Sequence, residues 1–384
     1  MEHPVNLSGL SKGVERILSP DAPGPARMMA ASGMAPLPPA DLLTVLYFLS
    51  YDKDSQISSK ASKTLQDMPD KVLLGTLQGN LPPEVLDGIA PFLLGRDSAV
   101  EQIILNRATL DDTHVWLAKK LTSEQLLEII VANERRLLRT PAIIENLYFN
   151  QHTRMSSVDR AIELAIRNGV ELSGIPAFEE TKQALDGELI FESDGEPTPD
   201  DLNFNNAVQT AKSLDEHPVE EINDVMDALN ADTPEEEKPE VDKEAEKSVG
   251  NFNAQLSTMM VSHKIRIAML GTASQRSVLI RDSNKLVIMA VLKSPSVNEA
   301  EVRKYSALKG LPEEAMRYIA SKRDWTKQYL IKLNLVNNPR TPIEHALRFM
   351  THLRPNDLRA LERSKDVPGV ICKAAKELRK KRMK

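Results

Sequence analysis

The side chains best suited to chemistry are few and scattered along this 384-residue chain. Its seven histidines and single cysteine, Cys372, form no group with the spacing of metal ligands, and a protein metal site needs three or four ligands. The segment Gly271-Thr272-Ala273-Ser274-Gln275 lacks the second glycine and the lysine of a phosphate-binding loop. No Gly-x-Ser-x-Gly nucleophile elbow occurs. The sequence therefore favours a non-enzymatic protein that works by binding, without a metal or cofactor.

One tryptophan stands among cations, in the segment Lys322-Arg323-Asp324-Trp325-Thr326-Lys327. A tryptophan in this setting can stack on a nucleobase or anchor a protein partner. The alternative is a tryptophan packed between helices with solvated lysine and arginine side chains around it, which we favour because large aromatic side chains are mostly buried.

The densest basic cluster lies at the C-terminus, where the cations are Lys373, Lys376, Arg379, Lys380, Lys381, Arg382 and Lys384. Three interpretations stay open. The cluster can contact phosphates, it can be the favourably charged, solvated end of a helix, or it can face an acidic segment of the same chain. Arg340, which lies between two prolines, is a further candidate for partner binding.

Charge differs sharply between parts of the chain. The formal net charge of −6 divides into −4 for residues 1–175, −18 for residues 176–250 and +16 for residues 251–384. Such asymmetry indicates electrostatic partners inside or outside the chain. The basic C-terminal part makes nucleic-acid binding an alternative to protein binding.

Apolar residues recur with helical spacing over most of the chain, and no convincing strand alternation appears. Short periodic segments are separated by Pro, Gly, Asp or Ser, which is typical of stacked helical hairpins. We expect an all-α fold with helical repeats over residues 40–175 and 251–384. Residues 1–39 are rich in proline, and most of them are expected to be disordered. Leu10, Val14, Ile17 and Leu18 have the spacing of one short amphipathic helix before the prolines, with chance spacing as the alternative.

Residues 176–250 are predicted to form a disordered acidic linker, since their net charge is high and their apolar content low. Within them, Ile222, Val225, Met226 and Leu229 lie on one face of a predicted short helix over 219–229. Such a segment can fold upon docking in a groove. We therefore consider it a candidate autoinhibitory or recruiting segment, with a transient helix as the alternative.

Two stretches about 185 residues apart resemble each other. In the first, Arg96-Asp97-Ser98 precedes an apolar run, and in the second Arg281-Asp282-Ser283 does. The correspondence continues to Val158 in the first stretch and Ile343 in the second. Duplication at this scale predicts a repeat architecture, and repeat architectures are usually binding scaffolds.

The passage Asn338-Pro339-Arg340-Thr341-Pro342, followed by an apolar helix, resembles the HEAT-like and leucine-rich-repeat-variant families of bacterial α-solenoids. Asp54 with Ile57, Ala61 and Leu65 has the spacing of a HEAT-like second helix. The first stretch departs from this pattern at residues 151–154. The resemblance implies a curved stack of helices with a concave binding face, and it implies no particular ligand.

The N-terminus lacks the basic start and apolar core of a secretory signal, and no apolar run approaches the ~20 residues that a membrane helix needs. We therefore expect a cytoplasmic scaffold that binds a protein partner, without a membrane. The sequence does not indicate its oligomeric state.

Overall fold

The computed structural model describes residues 10–19, 21–188, 196–230 and 241–382. These residues form α-helices joined by short loops and turns, and they contain no β-strand. The expected all-α class is confirmed. The chain divides into two compact units, residues 1–171 and residues 172–384, so the acidic segment belongs to the second unit.

The first unit contains twelve described α-helices. They are α1 Lys12–Leu18, α2 Gly24–Ala31, α3 Pro39–Leu49, α4 Ser55–Gln66, α5 Asp70–Leu77, α6 Pro83–Ile89, α7 Asp97–Leu105, α8 Asp111–Lys120, α9 Glu124–Val131, α10 Glu134–Arg139, α11 Ala142–Phe149 and α12 Met155–Arg167. Most of them pack on helices one to three places away in the chain, as α5 packs on α7 and α8 on α11.

The second unit contains thirteen described α-helices. They are α13 Phe178–Leu185, α14 Pro199–Lys212, α15 Val219–Leu229, α16 Lys243–Ser257, α17 Val261–Leu270, α18 Ala273–Leu279, α19 Lys285–Lys293, α20 Glu299–Ala307, α21 Glu313–Ser321, α22 Tyr329–Asn337, α23 Ile343–Met350, α24 Pro355–Leu361 and α25 Gly369–Arg382. A short 3-10 turn, Trp325–Lys327, precedes α22.

A loop built around asparagine recurs at the ends of α7, α11 and α22. We call these the asparagine loops: Asn106–Thr109, Asn150–Thr153 and Asn338–Thr341. Each asparagine amide donates two hydrogen bonds of 2.6–3.1 Å to backbone carbonyl oxygens at the end of an earlier helix. Its side-chain oxygen accepts the N–H two residues later at 2.9–3.0 Å. A buried threonine closes each loop, with its N–H bonded to the asparagine carbonyl.

The asparagine loops change the register in which the two similar stretches correspond. The sequence pairs Val158 with Ile343. In the structure, however, α12 begins at Met155, five residues after Asn150, and α23 begins at Ile343, five residues after Asn338. The helix starts therefore pair Met155 with Ile343. The loop at 151–154, which lacks prolines, keeps the same hydrogen bonds as the loop with Pro339, because both loops depend on asparagine.

The prediction of disorder over residues 1–39 is wrong for the part that the structure describes. Helices α1 and α2 form there and pack on α3 and α4, with Val14, Ala30 and Ala31 fully buried. The prolines are compatible with these helices because they stand at helix starts, as Pro25 does in the first turn of α2. A proline in the first turn loses no hydrogen bond, since that N–H has no partner within the helix.

The prediction of a disordered linker over residues 176–250 is also contradicted by the described residues, which form α13, α14, α15 and most of α16. Residues 189–195 and 231–240 of the predicted linker lie outside the described part. Although the segment is strongly acidic, each of these four helices has an apolar face that is buried. Phe178, Phe204, Val225 and Val249 are each at most 9% exposed. Helix α13 packs on α17 and α19, and α14 packs on α16.

Helix α15 covers the same residues as the short helix predicted within the acidic segment. It packs on α16 and α18, with Ile222 and Val225 fully buried and Met226 at 5% exposure. Leu229 remains 46% exposed. None of the helices in the described part of the chain has the length and apolar character needed to cross a membrane.

Candidate anion-binding edge of the C-terminal unit

The tryptophan among cations lies where α21 ends. Trp325 is half-buried and meets the ring of Tyr318 edge to face, with 5.9 Å between the ring centroids. The ammonium of Lys322 lies 4.9 Å from the centroid of the same tyrosine ring. Arg323 is exposed and forms no ion pair with the described residues. The tryptophan thus packs against its own unit while cations surround it at the surface.

Lys327 contributes less positive charge to this corner than the sequence indicates. Its ammonium lies 2.6 Å from a carboxylate oxygen of Asp324, and both side chains are at least three-quarters exposed. The hydrogen bond from Lys327 lowers the pKa of the Asp324 carboxyl. An exposed pair of this kind adds little stability, but it neutralises one cation locally.

The end of α23 and the start of α24 bring two more arginines to the same region. Arg348 donates a hydrogen bond of 2.9 Å to the carbonyl oxygen of Ala320 in the last turn of α21. Its guanidinium also lies 4.7 Å from the ring centroid of Phe349. The guanidinium of Arg354 lies 4.7 Å from the ring centroid of Tyr329, next to the Trp325 turn. The ends of α21 and α23 are therefore linked by direct contacts.

Tyr329 fixes the backbone at Arg354 as well as its side chain. The tyrosine hydroxyl accepts the backbone N–H of Arg354 at 2.9 Å and donates to a carboxylate oxygen of Asp357. Burial, followed by the hydrogen bond with Asp357, raises the pKa of the Tyr329 hydroxyl. The phenol is therefore protonated at neutral pH and holds the start of α24 in place.

The basic tail extends the same edge. Arg382, in the last turn of α25, donates hydrogen bonds to the carbonyl oxygens of Leu353, at 2.6 Å, and Thr351. Arg379 forms an ion pair with Glu362, and this hydrogen bond lowers the pKa of the Glu362 carboxyl. Lys380 and Lys381 are exposed and form no ion pair within the described residues.

We call this region the basic edge, defined by the cations at the ends of α21, α23 and α25: Lys322, Arg323, Lys327, Arg348, Arg354, Arg379, Lys380, Lys381 and Arg382. Carbonyl oxygens without partners and the helix dipole make the C-terminal end of a helix electronegative, which favours cations there. Some of these cations, such as Arg348 and Arg382, therefore stabilise helix ends by hydrogen bonds to their carbonyl oxygens. The side chains of Arg323, Arg354, Lys380 and Lys381 hydrogen-bond to no described acceptor and can face a ligand.

Arg340 lies away from the basic edge. Its exposed side chain lines a groove of about 890 Å³ in the second unit, together with Arg281, Lys309 and Glu313. Glu313 opens α21 and Lys322 follows its end, so the groove and the edge lie at opposite ends of that helix, roughly 13 Å apart at a rise of 1.5 Å per residue. Acids and bases are mixed in this groove, which gives it no single charge preference.

Three of the four candidates on α15 are not available to a partner, because Ile222, Val225 and Met226 lie in the core, whereas Leu229 is 46% exposed. The acidic face of α15 meets cations instead. Asp227 pairs with Arg281 at 2.6 Å, and Glu220 pairs with Lys304 at 2.9 Å. On α13, Glu180 likewise lies 2.7 Å from Lys293. These three pairs neutralise carboxylates of the acidic segment with Arg281 just after α18, Lys293 at the end of α19 and Lys304 on α20.

Sequence reasoning missed a buried ion pair in the second unit. Arg276 and Glu301 are 2% and 4% exposed and join through two hydrogen bonds of 2.8 and 2.9 Å. The Tyr305 hydroxyl donates to Glu301 at 3.0 Å, and burial beside this carboxylate raises the pKa of the tyrosine. The only signal in the sequence is the helix start Asn298-Glu299-Ala300-Glu301, whose capping box includes Glu301.

Sequence reasoning also missed Arg348, Arg354 and the tyrosines of the basic edge. Their positions near helix ends are visible in the sequence, but the contacts that join separate helices are not. Within the described residues, no group of His, Cys, Asp or Glu side chains is arranged to hold a metal ion.

Comparison with known proteins identifies no relative of this chain. No family model and no curated protein matches the chain. A crystal structure of an engineered protein aligns over 96% of this chain and 98% of its own, at 15% identity and a TM-score of 0.19. That score is too low to support a shared fold.

Proposed function

We propose that this protein is a non-enzymatic scaffold of helical repeats, an α-solenoid in each unit, and that it binds a protein partner. The observation that carries the proposal is the asparagine loop. Three loops hold the end of one helix to the end of an earlier helix by the same hydrogen bonds. Helices joined by the same loop at several places are expected to stack, and stacks of helical repeats serve mainly as binding surfaces.

We place the partner on the basic edge. Its cations come from three helix ends, and tryptophan, tyrosine and arginine are the residues that contribute most to protein interfaces. The groove at Arg340 is less suitable, since four of its lining side chains are acidic and four are basic.

Competition by α15 is disfavoured as a mode of regulation. Releasing the helix would expose Ile222, Val225 and Met226, at ~1.5–3 kcal/mol for each side chain. It would also break the ion pairs of Asp227 and Glu220. We assign α15 a structural role in the second unit.

A pull-down with the full-length chain from native lysate tests the proposed function. We expect a defined protein to be retained, and to be released as ionic strength rises, because charge pairs at an exposed edge are screened by salt. Retention of no protein above a bead control would contradict the proposal. Nuclease treatment of the lysate separates direct protein binding from binding through nucleic acid.

Nucleic-acid binding is the second candidate, and the position of Trp325 in the segment between Arg323 and Lys327 favours it. A single strand would bind with its phosphates on the edge and a base against the tryptophan. Anisotropy with a labelled oligo(dT) would then report binding that weakens steeply with salt. No binding at low salt would exclude this candidate.

A further inference from the structure

The cations of the basic edge are held in place before any ligand arrives. Lys322 lies on Tyr318, Arg348 lies on Phe349, and Arg354 lies on Tyr329, each within 5 Å of a ring centroid. A long side chain that is already ordered loses less entropy on binding. The edge therefore presents donors at fixed positions, as a recognition surface does.

These contacts also restrict what the edge can recognise. Bases of a single strand bind proteins by stacking on open aromatic faces. On this edge, Tyr318, Tyr329 and Phe349 each have a cation over the ring, and Trp325 is half-buried against Tyr318. Few aromatic faces remain for bases. Recognition by charge and hydrogen-bond direction is more compatible with this arrangement than recognition by stacking.

The free donors suit carboxylates. A guanidinium offers paired N–H groups that match the two oxygens of a carboxylate. The guanidinium of Arg354 donates to no described acceptor, and Arg382 uses only two of its donors for the carbonyl oxygens of Leu353 and Thr351. Lys380 and Lys381 add positive charge next to Arg382.

The surrounding charge favours a short acidic ligand over a dense polyanion. The chain as a whole carries a formal charge of −6. Interactions beyond about 8–10 Å are screened at physiological salt, so a short segment responds mainly to the local edge. A long nucleic acid would extend beyond the edge, and its distant phosphates would gain nothing from these cations.

We propose that the basic edge binds a carboxylate-rich polypeptide segment of the partner, with Arg354 as the central contact and Arg323, Lys380 and Lys381 as flanking cations. This inference rests on the proposed function, because it names the chemistry of the partner on the same surface.

The test uses the full-length protein and a labelled short poly-L-glutamate as the probe. The edge variant carries Arg323→Glu, Lys380→Glu and Lys381→Glu, at exposed side chains that form no described ion pair. The control variant carries Lys71→Glu, Arg303→Glu and Lys365→Glu, which change the net charge equally at exposed positions outside the edge. Circular dichroism checks that both variants are folded.

We expect the edge variant to bind the probe at least about tenfold more weakly than the wild type, because three attractive cations become carboxylates that repel the probe. The control variant should bind within about threefold of the wild type. Equal losses in the two variants would mean that poly-L-glutamate responds only to net charge, and this would overturn the inference.

Two further outcomes separate the inference from the proposed function. Binding of oligo(dT) to the edge without binding of poly-L-glutamate would overturn the acidic ligand. Retention of the same lysate protein by the wild type and the edge variant would also overturn the inference, while the scaffold proposal would stand. The absence of any retained protein would contradict the scaffold proposal itself.

Discussion

Single asparagines tie the end of one helix to the end of an earlier helix at three places in the described chain. Asn338 is 4% exposed, and its amide donates to the carbonyl oxygens of Ser306, in the last turn of α20, and Leu308, just after that helix. Those oxygens have no partner within their helix. The side chain that follows the end of α22 thus also binds the C-terminal end of α20.

Replacing Asn338 with alanine should lower the free energy of unfolding by ~2–3 kcal/mol, since the substitution leaves two carbonyl oxygens without a donor. The adjacent Asn337 provides the control, because its side chain is exposed and bonds only within α22. The variant Asn337→Ala should stay within ~0.5 kcal/mol of the wild type. Urea denaturation of the full-length protein measures both values, and equal effects would refute the role of Asn338.

The pair of Arg276 and Glu301 makes a second prediction at this scale. The variant Glu301→Gln keeps the shape of the side chain but leaves the buried guanidinium without a counter-charge, which costs ~3–5 kcal/mol. Glu299→Gln, at an exposed position in the first turn of the same helix, should change stability by less than ~1 kcal/mol. Thermal unfolding of the two variants distinguishes them. A small change for Glu301→Gln would show that the pair is not needed.

Asp111 predicts how the stability of the first unit depends on pH. Hydrogen bonds from Arg139 lower the pKa of the Asp111 carboxyl in the folded state. The stabilisation is therefore complete above the unfolded pKa of about 3.9 and is lost as pH falls through the lower folded value. We expect Asp111→Asn to be less stable than the wild type at neutral pH and equal to it in strong acid.

The neighbouring Asp112 is exposed and serves as the control. Asp112→Asn should follow the wild type across the whole pH range. Denaturation between neutral and acidic pH measures the difference, and a gap for Asp111→Asn that does not close in acid would argue against the ion pair.

Among the helices, α15 is the one whose role, structural or regulatory, is tested most directly by core substitutions. Ile222→Ala should destabilise the second unit by ~2–5 kcal/mol, the usual cost of a cavity in a packed core. Leu229→Ala on the same helix should cost much less, because Leu229 is 46% exposed. Denaturation of the full-length protein gives both values. Equal, small effects would mean that α15 does not belong to the core.

The helices show which parts of the fold are readable from the sequence. Apolar spacing predicts the helical content, and it marks Ile222 and Val225 as one face of a helix. Amino-acid composition led to the wrong prediction of disorder for residues 1–39 and 176–250, because composition does not record where in a helix each residue stands. Pro25 starts a helix rather than breaking one, and the carboxylate of Asp227 meets Arg281.

The candidate site was readable only in part. The sequence marks Trp325 and Arg379–Arg382 as two separate clusters. The two clusters form one surface because Arg348 donates a hydrogen bond to the carbonyl oxygen of Ala320 and Arg382 donates one to that of Leu353. These hydrogen bonds join residues about 30 positions apart. Local pattern cannot supply such contacts, since they follow from how neighbouring helices pack.

At the scale of the whole molecule, folding pairs part of the acidic segment with cations of the basic C-terminal part. The acidic helices lie against α18, α19 and α20 through pairs such as Glu220 with Lys304. The basic edge, at the ends of α21, α23 and α25, keeps several cations without described ion pairs. Arg323, Lys380 and Lys381 therefore stay available to a partner at this edge.

Hydrogen–deuterium exchange on the full-length protein, with and without the protein retained from lysate, tests the central claim most directly. The account predicts slower amide exchange on binding at residues 320–329 and 351–354 and at the end of α25, with unchanged exchange in α15. Protection confined to the groove at Arg340, or protection of α15 alone, would contradict it.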